Sequence, residues 1–163
     1  MAIETERKFL VVGNSWRDAG EAVHYAQGYL VADLGRTVRV RIAGEQAFIT
    51  IKGPTDGISR AEFEYPIPLA DASEMLKLSP FPIIEKYRTK IVWENKLWEV
   101  DQIESENKGL IMAEIELTEP DEPFSLPPWI GEEVTGDPRY FNSYLSQNPY
   151  STWKSKCRNC RRI

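Results

Sequence analysis

Several segments of this chain alternate apolar and polar residues with a period of two, and no other feature of the sequence constrains the fold as strongly. Such alternation is typical of β-strands that bury one face and leave the other face polar. The predicted strands are residues 3–12, 37–43, 47–52, 60–67, 83–93, 96–103 and 110–118. Short turns separate several of them, so we expect neighbours in sequence to pair antiparallel.

Helix signals are fewer than strand signals. Residues 71–74 read DASE, which has the spacing of a capping box, and they predict the start of one helix. Asp137 before Pro138 predicts a second helix that runs through Leu145, and a short helix is predicted from Ser15. We therefore predict a mainly β (α+β) fold, a mostly antiparallel sheet with a few covering helices. Seven or eight strands of this kind can close into a barrel.

Length and charge exclude several classes of protein. The 163 residues suit a single domain. A net charge of −5 argues against general binding to nucleic acid or to an anionic membrane. The chain has no apolar run of the roughly 20 residues that a membrane helix needs, and its start lacks a signal-peptide pattern. We expect a cytoplasmic protein that does not bind membranes, and its oligomeric state stays open.

The end of the chain differs in composition from the rest. We predict one domain over residues 1–150 and a flexible basic tail over residues 151–163. The tail contains Cys157 and Cys160, but a four-ligand zinc site needs a second pair that this chain lacks. His24 is the only histidine, and no second ligand lies near it in sequence, so we assign it no metal.

The charged residues of the predicted strands are sorted by sign. Residues i and i+2 of a strand share a face, so Glu4 and Glu6 project together, as do Arg39 and Arg41. One such pair usually marks only a solvated face. A solvated sheet gains by mixing signs, however, because like charges about 7 Å apart repel each other. Repeated sorting along the chain therefore indicates a bound ligand of opposite charge.

Two sets of charged side chains make this ligand a metal-bound polyphosphate. Carboxylates are the ligands that hard cations such as Mg²⁺ and Mn²⁺ require, whereas Arg and Lys bind phosphate oxygens. A polyphosphate that chelates a metal needs both. The candidate metal-binding residues are Glu4, Glu6, Glu62, Glu64, Asp101, Glu114 and Glu116. The candidate phosphate-binding residues are Lys8, Arg39, Arg41, Lys52, Lys86 and Arg88.

The same segments resemble a known family. Residues 4–8, ETERK, resemble the N-terminal ExExK signature of the CYTH, or triphosphate tunnel metalloenzyme, family. Further segments match in order: residues 27–30 (QGYL), 39–41 (RVR), 50–52 (TIK), 60–64 (RAEFE), 85–88 (EKYR), 100–101 (VD), 113–116 (AEIE) and 137–142 (DPRYFN). The resemblance extends over about residues 3–146, and the ordered set is far more specific than ExExK alone.

This resemblance implies an eight-stranded antiparallel β-barrel tunnel and a divalent-metal-dependent attack on a triphosphate. It implies two Mg²⁺ or Mn²⁺ ions and no organic cofactor. By carry-over, Glu4, Glu6, Glu114 and Glu116 bind metal. Glu62, Glu64 and Asp101 then support the metal or its activated water, which makes Glu64 a candidate catalytic residue. Lys86 is the candidate for handling protons or the leaving group.

These observations favour an enzyme, a hydrolase of inorganic tripolyphosphate that uses a metal-activated water. The substrate is then a small molecule rather than a macromolecule. Three alternatives would bind the phosphate chain in the same way: an adenylate cyclase, a nucleoside or thiamine triphosphatase, and a module that binds polyphosphate without hydrolysing it. The sequence does not separate them.

Overall fold

The computed structural model describes residues 3–153. It contains nine strands and short α-helices, joined by turns, loops and 3-10 helices. The strands are β1 (Ile3–Val11), β2 (Ala22–Ala32), β3 (Thr37–Ala43), β4 (Gln46–Lys52), β5 (Ser59–Ile67), β6 (Ile84–Trp93), β7 (Lys96–Ile103), β8 (Ile111–Glu116) and β9 (Ile130–Glu133). The α-helices are α1 (Leu69–Leu76) and α2 (Asn142–Leu145), residues 150–153 are also helical, and the 3-10 helices are Arg17–Ala19, Ser105–Asn107 and Pro138–Tyr140.

The sheet closes on itself, which confirms the predicted eight-stranded antiparallel barrel. Its strand order is β5-β4-β3-β2-β6-β7-β8-β1, and β1 also pairs with β5. That closing contact joins residues 3–5 of β1 to residues 59–61 of β5. The C-terminal half of β1 pairs with β9, which adds a ninth strand outside the closed ring. Closure leaves an enclosed interior that every barrel strand borders.

The apolar core lies outside the barrel wall rather than inside it. One cluster packs Phe9, Trp98 and Trp129 between the sheet and the segment that follows β8, and Trp98 is fully buried there. A second cluster packs α1 against β3 and β4 through Ala72 and Val40. The apolar face of each strand therefore turns outward, which leaves the polar face for the interior. This inversion explains the period-two pattern of the sequence.

All the predicted strands are present, but the alternation rule missed β2 and β9. In β2 the inward residues include Tyr25 and Tyr29, and the outward residues include Ala26 and Gly28. Both faces thus mix polar and apolar character, and the period disappears. Gly28 is small because α1 lies against it: a Cβ there would lie 3.1 Å from Cδ2 of Leu76.

The predicted start of the first helix was wrong. Helix α1 begins at Leu69 with Pro68 as its N-cap, so residues 71–74 lie inside the helix and cap nothing. The Ser73 hydroxyl instead donates a hydrogen bond to the carbonyl of Leu69. Proline fixes φ near the helical value, which favours a helix that begins directly after it.

The second predicted helix is interrupted. Asp137 accepts a hydrogen bond from the backbone N–H of Arg139, as an N-cap should, but only a 3-10 turn follows. Phe141 is extended and α2 starts after it. The ammonium of Lys8 donates to the carbonyl of Tyr140 at 3.0 Å, which holds that carbonyl away from a continuing helix. The short helix predicted from Ser15 is the 3-10 helix Arg17–Ala19.

The predicted tail lies largely outside the described residues. Residues 154–163, with both cysteines, are not among those described. Of the predicted tail, Trp153 packs edge to face on Tyr140 and Tyr144. The division into a domain of residues 1–150 and a tail stays a prediction. Within residues 3–153, no helix has the length and apolar character that a membrane crossing requires.

Candidate active site

A cavity of about 600 Å³ lies inside the barrel and is lined almost entirely by charged and polar side chains. Its acidic lining residues are Glu4, Glu6, Glu21, Glu62, Glu64, Glu99, Glu114 and Glu116. Its cationic lining residues are Lys8, Arg39, Arg41, Lys52, Arg60, Arg88 and Lys90. Every predicted site residue except Lys86 and Asp101 therefore lies on the wall of one cavity. These residues face the interior of the barrel, and their roles in binding metal and phosphate stay predictions.

The two ends of the cavity differ. The strands alternate in direction, so the β3–β4 and β6–β7 hairpins lie at the same end. Exposed Glu21, Gln46 and Lys90 line the cavity there. At the other end, residues 141–143 cover the interior, and the segment before them is fixed to β1 by hydrogen bonds to both backbone groups of Lys8. A ligand would enter from the hairpin end.

Carboxylates crowd together on one part of the wall. The sheet register places Glu6 directly opposite Glu116. Burial raises the pKa of Glu6 well above its ordinary value, and the neighbouring charges of Glu114 and Glu4 raise it further. Burial, together with Glu4 and Glu62, also raises the pKa of Glu116. A divalent cation would relieve the repulsion between these like charges in the desolvated wall. The chemistry of the carboxylates therefore fits a hard metal ion.

Lysine side chains neutralise part of this set. Lys52 contacts both carboxylate oxygens of Glu4 at 2.9 and 3.1 Å and reaches Glu62 at 3.2 Å. Burial alone would raise the pKa of Glu4, but Lys52 lowers it to about 2. In the described part of the chain, no three acidic, His or Cys side chains stand ready to hold a metal ion. A metal at Glu4 would therefore require Lys52 to turn away.

Lys86 and Asp101 lie behind the cavity wall. Both are buried, and Lys86 donates to one Asp101 oxygen at 2.8 Å. Arg88 binds both oxygens of Asp101, at 2.7 and 2.8 Å. Burial would raise the pKa of Asp101, but Arg88 and Lys86 bring it to about 2. Burial lowers the pKa of Lys86 to about 7, and the charges of Arg88 and Arg41 add to the fall. The Asp101 carboxylate thus pairs with both Lys86 and Arg88.

Two arginines of β3 carry charge that is less fully compensated. The Arg41 Nε donates to the side-chain oxygen of Gln27 at 3.0 Å, and within residues 3–153 no carboxylate forms an ion pair with Arg41. Burial lowers its pKa to about 10, helped by Arg39 and Arg88. Arg39 lies 3.6 Å from Glu64, and its Nε is buried without a partner among the described residues. These guanidinium groups are available to an anion.

Sequence reasoning missed several lining residues that contact the predicted ones, among them Arg60, Glu99 and Tyr25. Arg60 lies 3.4 Å from Glu4, and Glu99 accepts a hydrogen bond from Arg88 at 2.9 Å. Parity could have found both, because Arg60 shares a strand face with Glu62 and Glu99 shares one with Asp101. Tyr25 belongs to β2, which the alternation rule did not detect.

Known proteins resemble this chain in sequence and in fold. The model of the CYTH domain family matches residues 2–141. An inorganic triphosphatase of Acetivibrio thermocellus is 47% identical over 155 residues, which cover 94% of this chain and 99% of that protein. An inorganic triphosphatase of Nitrosomonas europaea is 35% identical over 88% of this chain and 96% of its own length.

Two solved structures extend this comparison. A crystal structure of an inorganic triphosphatase superposes with a TM-score of 0.63, at 33% identity, over 90% of this chain and 95% of that one. A putative adenylyl cyclase from Hippeastrum, described as having a dominant triphosphatase activity, superposes with a TM-score of 0.54 over 74% of this chain and 81% of its own. Its 14% identity makes that second likeness one of fold alone.

Proposed function

The chain belongs to the CYTH domain family, and on this premise we propose that it is a metal-dependent triphosphatase whose substrate is inorganic tripolyphosphate. One observation carries the proposal: a closed barrel places crowded carboxylates and two arginines of incompletely compensated charge on the wall of a single cavity. The relatives at 47% and 35% identity are named inorganic triphosphatases. The cytoplasm remains the proposed location.

The phosphate chain binds first to the cations that are least engaged within the protein. Arg41 and Arg39 have guanidinium donors to offer, so we assign them the main contacts. Lys8 and Lys52 also face the cavity, and each can transfer from a carboxylate to a phosphate oxygen. Arg88 is occupied by Asp101 and Glu99, so it supplies positive potential more than hydrogen bonds.

Glu4, Glu6, Glu114 and Glu116 would hold the metal, which we propose to be Mg²⁺ or Mn²⁺, with two ions in the site. When bound, such ions polarise phosphate oxygens and lower the pKa of a bound water. Glu62 and Glu64 lie on the neighbouring strand and would orient that water, which is the catalytic role proposed for Glu64. As substrate binds, Lys52 exchanges Glu4 for phosphate and leaves that carboxylate free for metal.

Lys86 is the proposed proton carrier of the site. Its Nζ can gain or lose a proton near neutral pH, because burial and two neighbouring guanidinium groups lower its pKa to about 7. It lies behind the wall, however, and its contact with Asp101 holds it there. Its proton must therefore reach the cavity past Arg88, which shares Asp101 with Lys86 and lines the cavity.

Substrate length tests this proposal. The cations assigned to phosphate contacts belong to β1, β3 and β4, so a chain of three phosphates contacts more of them than pyrophosphate does. We expect kcat/KM to fall from tripolyphosphate to ATP or GTP and then to pyrophosphate, measured as initial rates of phosphate release. Pyrophosphate cleaved as efficiently as tripolyphosphate would contradict the proposed grip, and a preference for ATP would favour a nucleotide-directed activity.

A further inference from the structure

We propose that Tyr25 is a positioning residue that holds Arg41 in the orientation that tripolyphosphate requires, an inference that rests on the proposed function. The side chain of Tyr25 lies on the cavity wall and is 8% exposed. The guanidinium carbon of Arg41 lies over its ring, 5.1 Å from the ring centroid. Arg88 lies over the same ring at the same distance.

The sheet register places Tyr25 between the two arginines. Its strand, β2, pairs with β3, which carries Arg41, and with β6, which carries Arg88. Tyr25 itself is directly opposite Ala43 and Lys86, so its ring extends toward both neighbouring strands from a central position. One aromatic ring therefore contacts cations of two different strands.

The ring stabilises Arg41 in a way that a carboxylate could not. An aromatic face attracts a guanidinium through its quadrupole and leaves the N–H groups in the guanidinium plane free. A carboxylate would bind those same N–H groups, as Asp101 and Glu99 do for Arg88. Among the described residues, Arg41 makes a single hydrogen bond, from Nε to Gln27, so its other donors stay available to phosphate.

Positioning matters because Arg41 is half-buried next to like charge. Burial and the neighbouring Arg39 and Arg88 all disfavour its charged form, as the lowered pKa of Arg41 shows. A side chain without an aromatic face at position 25 would no longer hold Arg41. The long Arg41 side chain could then turn toward the open hairpin end of the cavity. The expected consequence is weaker substrate binding with little change in the chemical step.

Steady-state kinetics with tripolyphosphate tests the role of Tyr25. In Tyr25→Leu we expect KM to rise roughly three- to tenfold, the scale of one partly desolvated cation–π contact, with kcat within about twofold of wild type. Tyr25→Phe keeps the ring and should recover most of the lost affinity. Tyr65→Leu, a matched Tyr-to-Leu change on the exposed outer face of β5, should behave as wild type.

A double-mutant cycle separates positioning from a merely structural role. In the Arg41→Ala background, Tyr25→Leu should add no further rise in KM, because the group that it positions is absent. A full Tyr25→Leu effect in that background would overturn the assignment, as would a Phe variant as impaired as the Leu variant. If the wild type releases no phosphate, the proposed function fails. Calorimetric binding of tripolyphosphate to the same variants then decides the role of Tyr25 by the same criteria.

Discussion

Glu6→Gln should lower kcat for tripolyphosphate hydrolysis by roughly two to three orders of magnitude, the loss typical of removing an essential electrostatic group. The substitution keeps the volume of the side chain and removes one charge from the crowded carboxylate set. We expect the same direction for Glu4→Gln, Glu114→Gln and Glu116→Gln. The measurement is kcat at saturating substrate and metal.

Glu6→Gln should lower kcat without lowering the stability of the fold. A carboxyl group whose pKa is higher in the folded protein than in the unfolded chain destabilises the fold when it is ionised at neutral pH. Burial and the charges of Glu114 and Glu4 put Glu6 in this position. Glu6→Gln should therefore have an unfolding midpoint equal to or above that of wild type. Glu85→Gln, on the outward face of β6, is the matched control. Wild-type kcat in Glu6→Gln would refute its assignment as a metal ligand.

Asp101→Asn should lower the free energy of unfolding by about 3–5 kcal/mol, the usual cost of removing one partner from a buried ion pair. Asp101 is 2% exposed and pairs with both Lys86 and Arg88. The substitution would leave buried Lys86 without this carboxylate and would remove the bidentate partner of Arg88, which keeps Glu99. Urea unfolding at pH 7 measures the change. Because the pKa of Asp101 is lowered to about 2, this stabilisation is present at neutral pH. It is lost as the pH falls below about 4 toward 2.

Glu99→Gln is the control for this experiment. Glu99 also accepts a hydrogen bond from Arg88, but it is more exposed and Arg88 keeps Asp101, so we expect a loss of at most about 1 kcal/mol. The predicted role of Asp101 in supporting metal leads to a different result. An Asp101→Asn protein as stable as wild type, but needing more Mg²⁺ for activity, would favour that role over the anchoring of Lys86 and Arg88.

Much of the site follows from strand parity. Once residues 3–12 are taken as a strand, Glu4, Glu6 and Lys8 must share a face, and the barrel then turns this face inward. Parity also places the like-charged residues of each of the other strands on one face. Strand parity does not show whether an inward side chain reaches the surface of the cavity or lies behind it. Lys86 shares its face with Arg88, yet Tyr25 from β2 and Asp101 from β7 enclose it behind the wall.

The remaining errors concern segments where local signals compete with tertiary contacts. Residues 71–74 fit a capping box, but Pro68 starts α1 earlier. The helix predicted after Asp137 is divided because a lysine from β1 binds the carbonyl of Tyr140. Strand β2 is hidden because both of its faces mix polar and apolar residues. The last two features depend on residues far away in sequence, which local pattern rules do not include.

Phosphate release from tripolyphosphate, measured with Mg²⁺, with Mn²⁺ and with excess chelator, tests both the triphosphatase activity and its dependence on metal. We expect release with at least one of these ions and none above background in chelator, because the crowded carboxylates of the barrel act only through a bound divalent ion. The same protein should regain its rate when the ion is restored. A hydrolysis rate that chelator leaves unchanged would contradict the metal-dependent mechanism, and no release under any of the three conditions would contradict the triphosphatase itself.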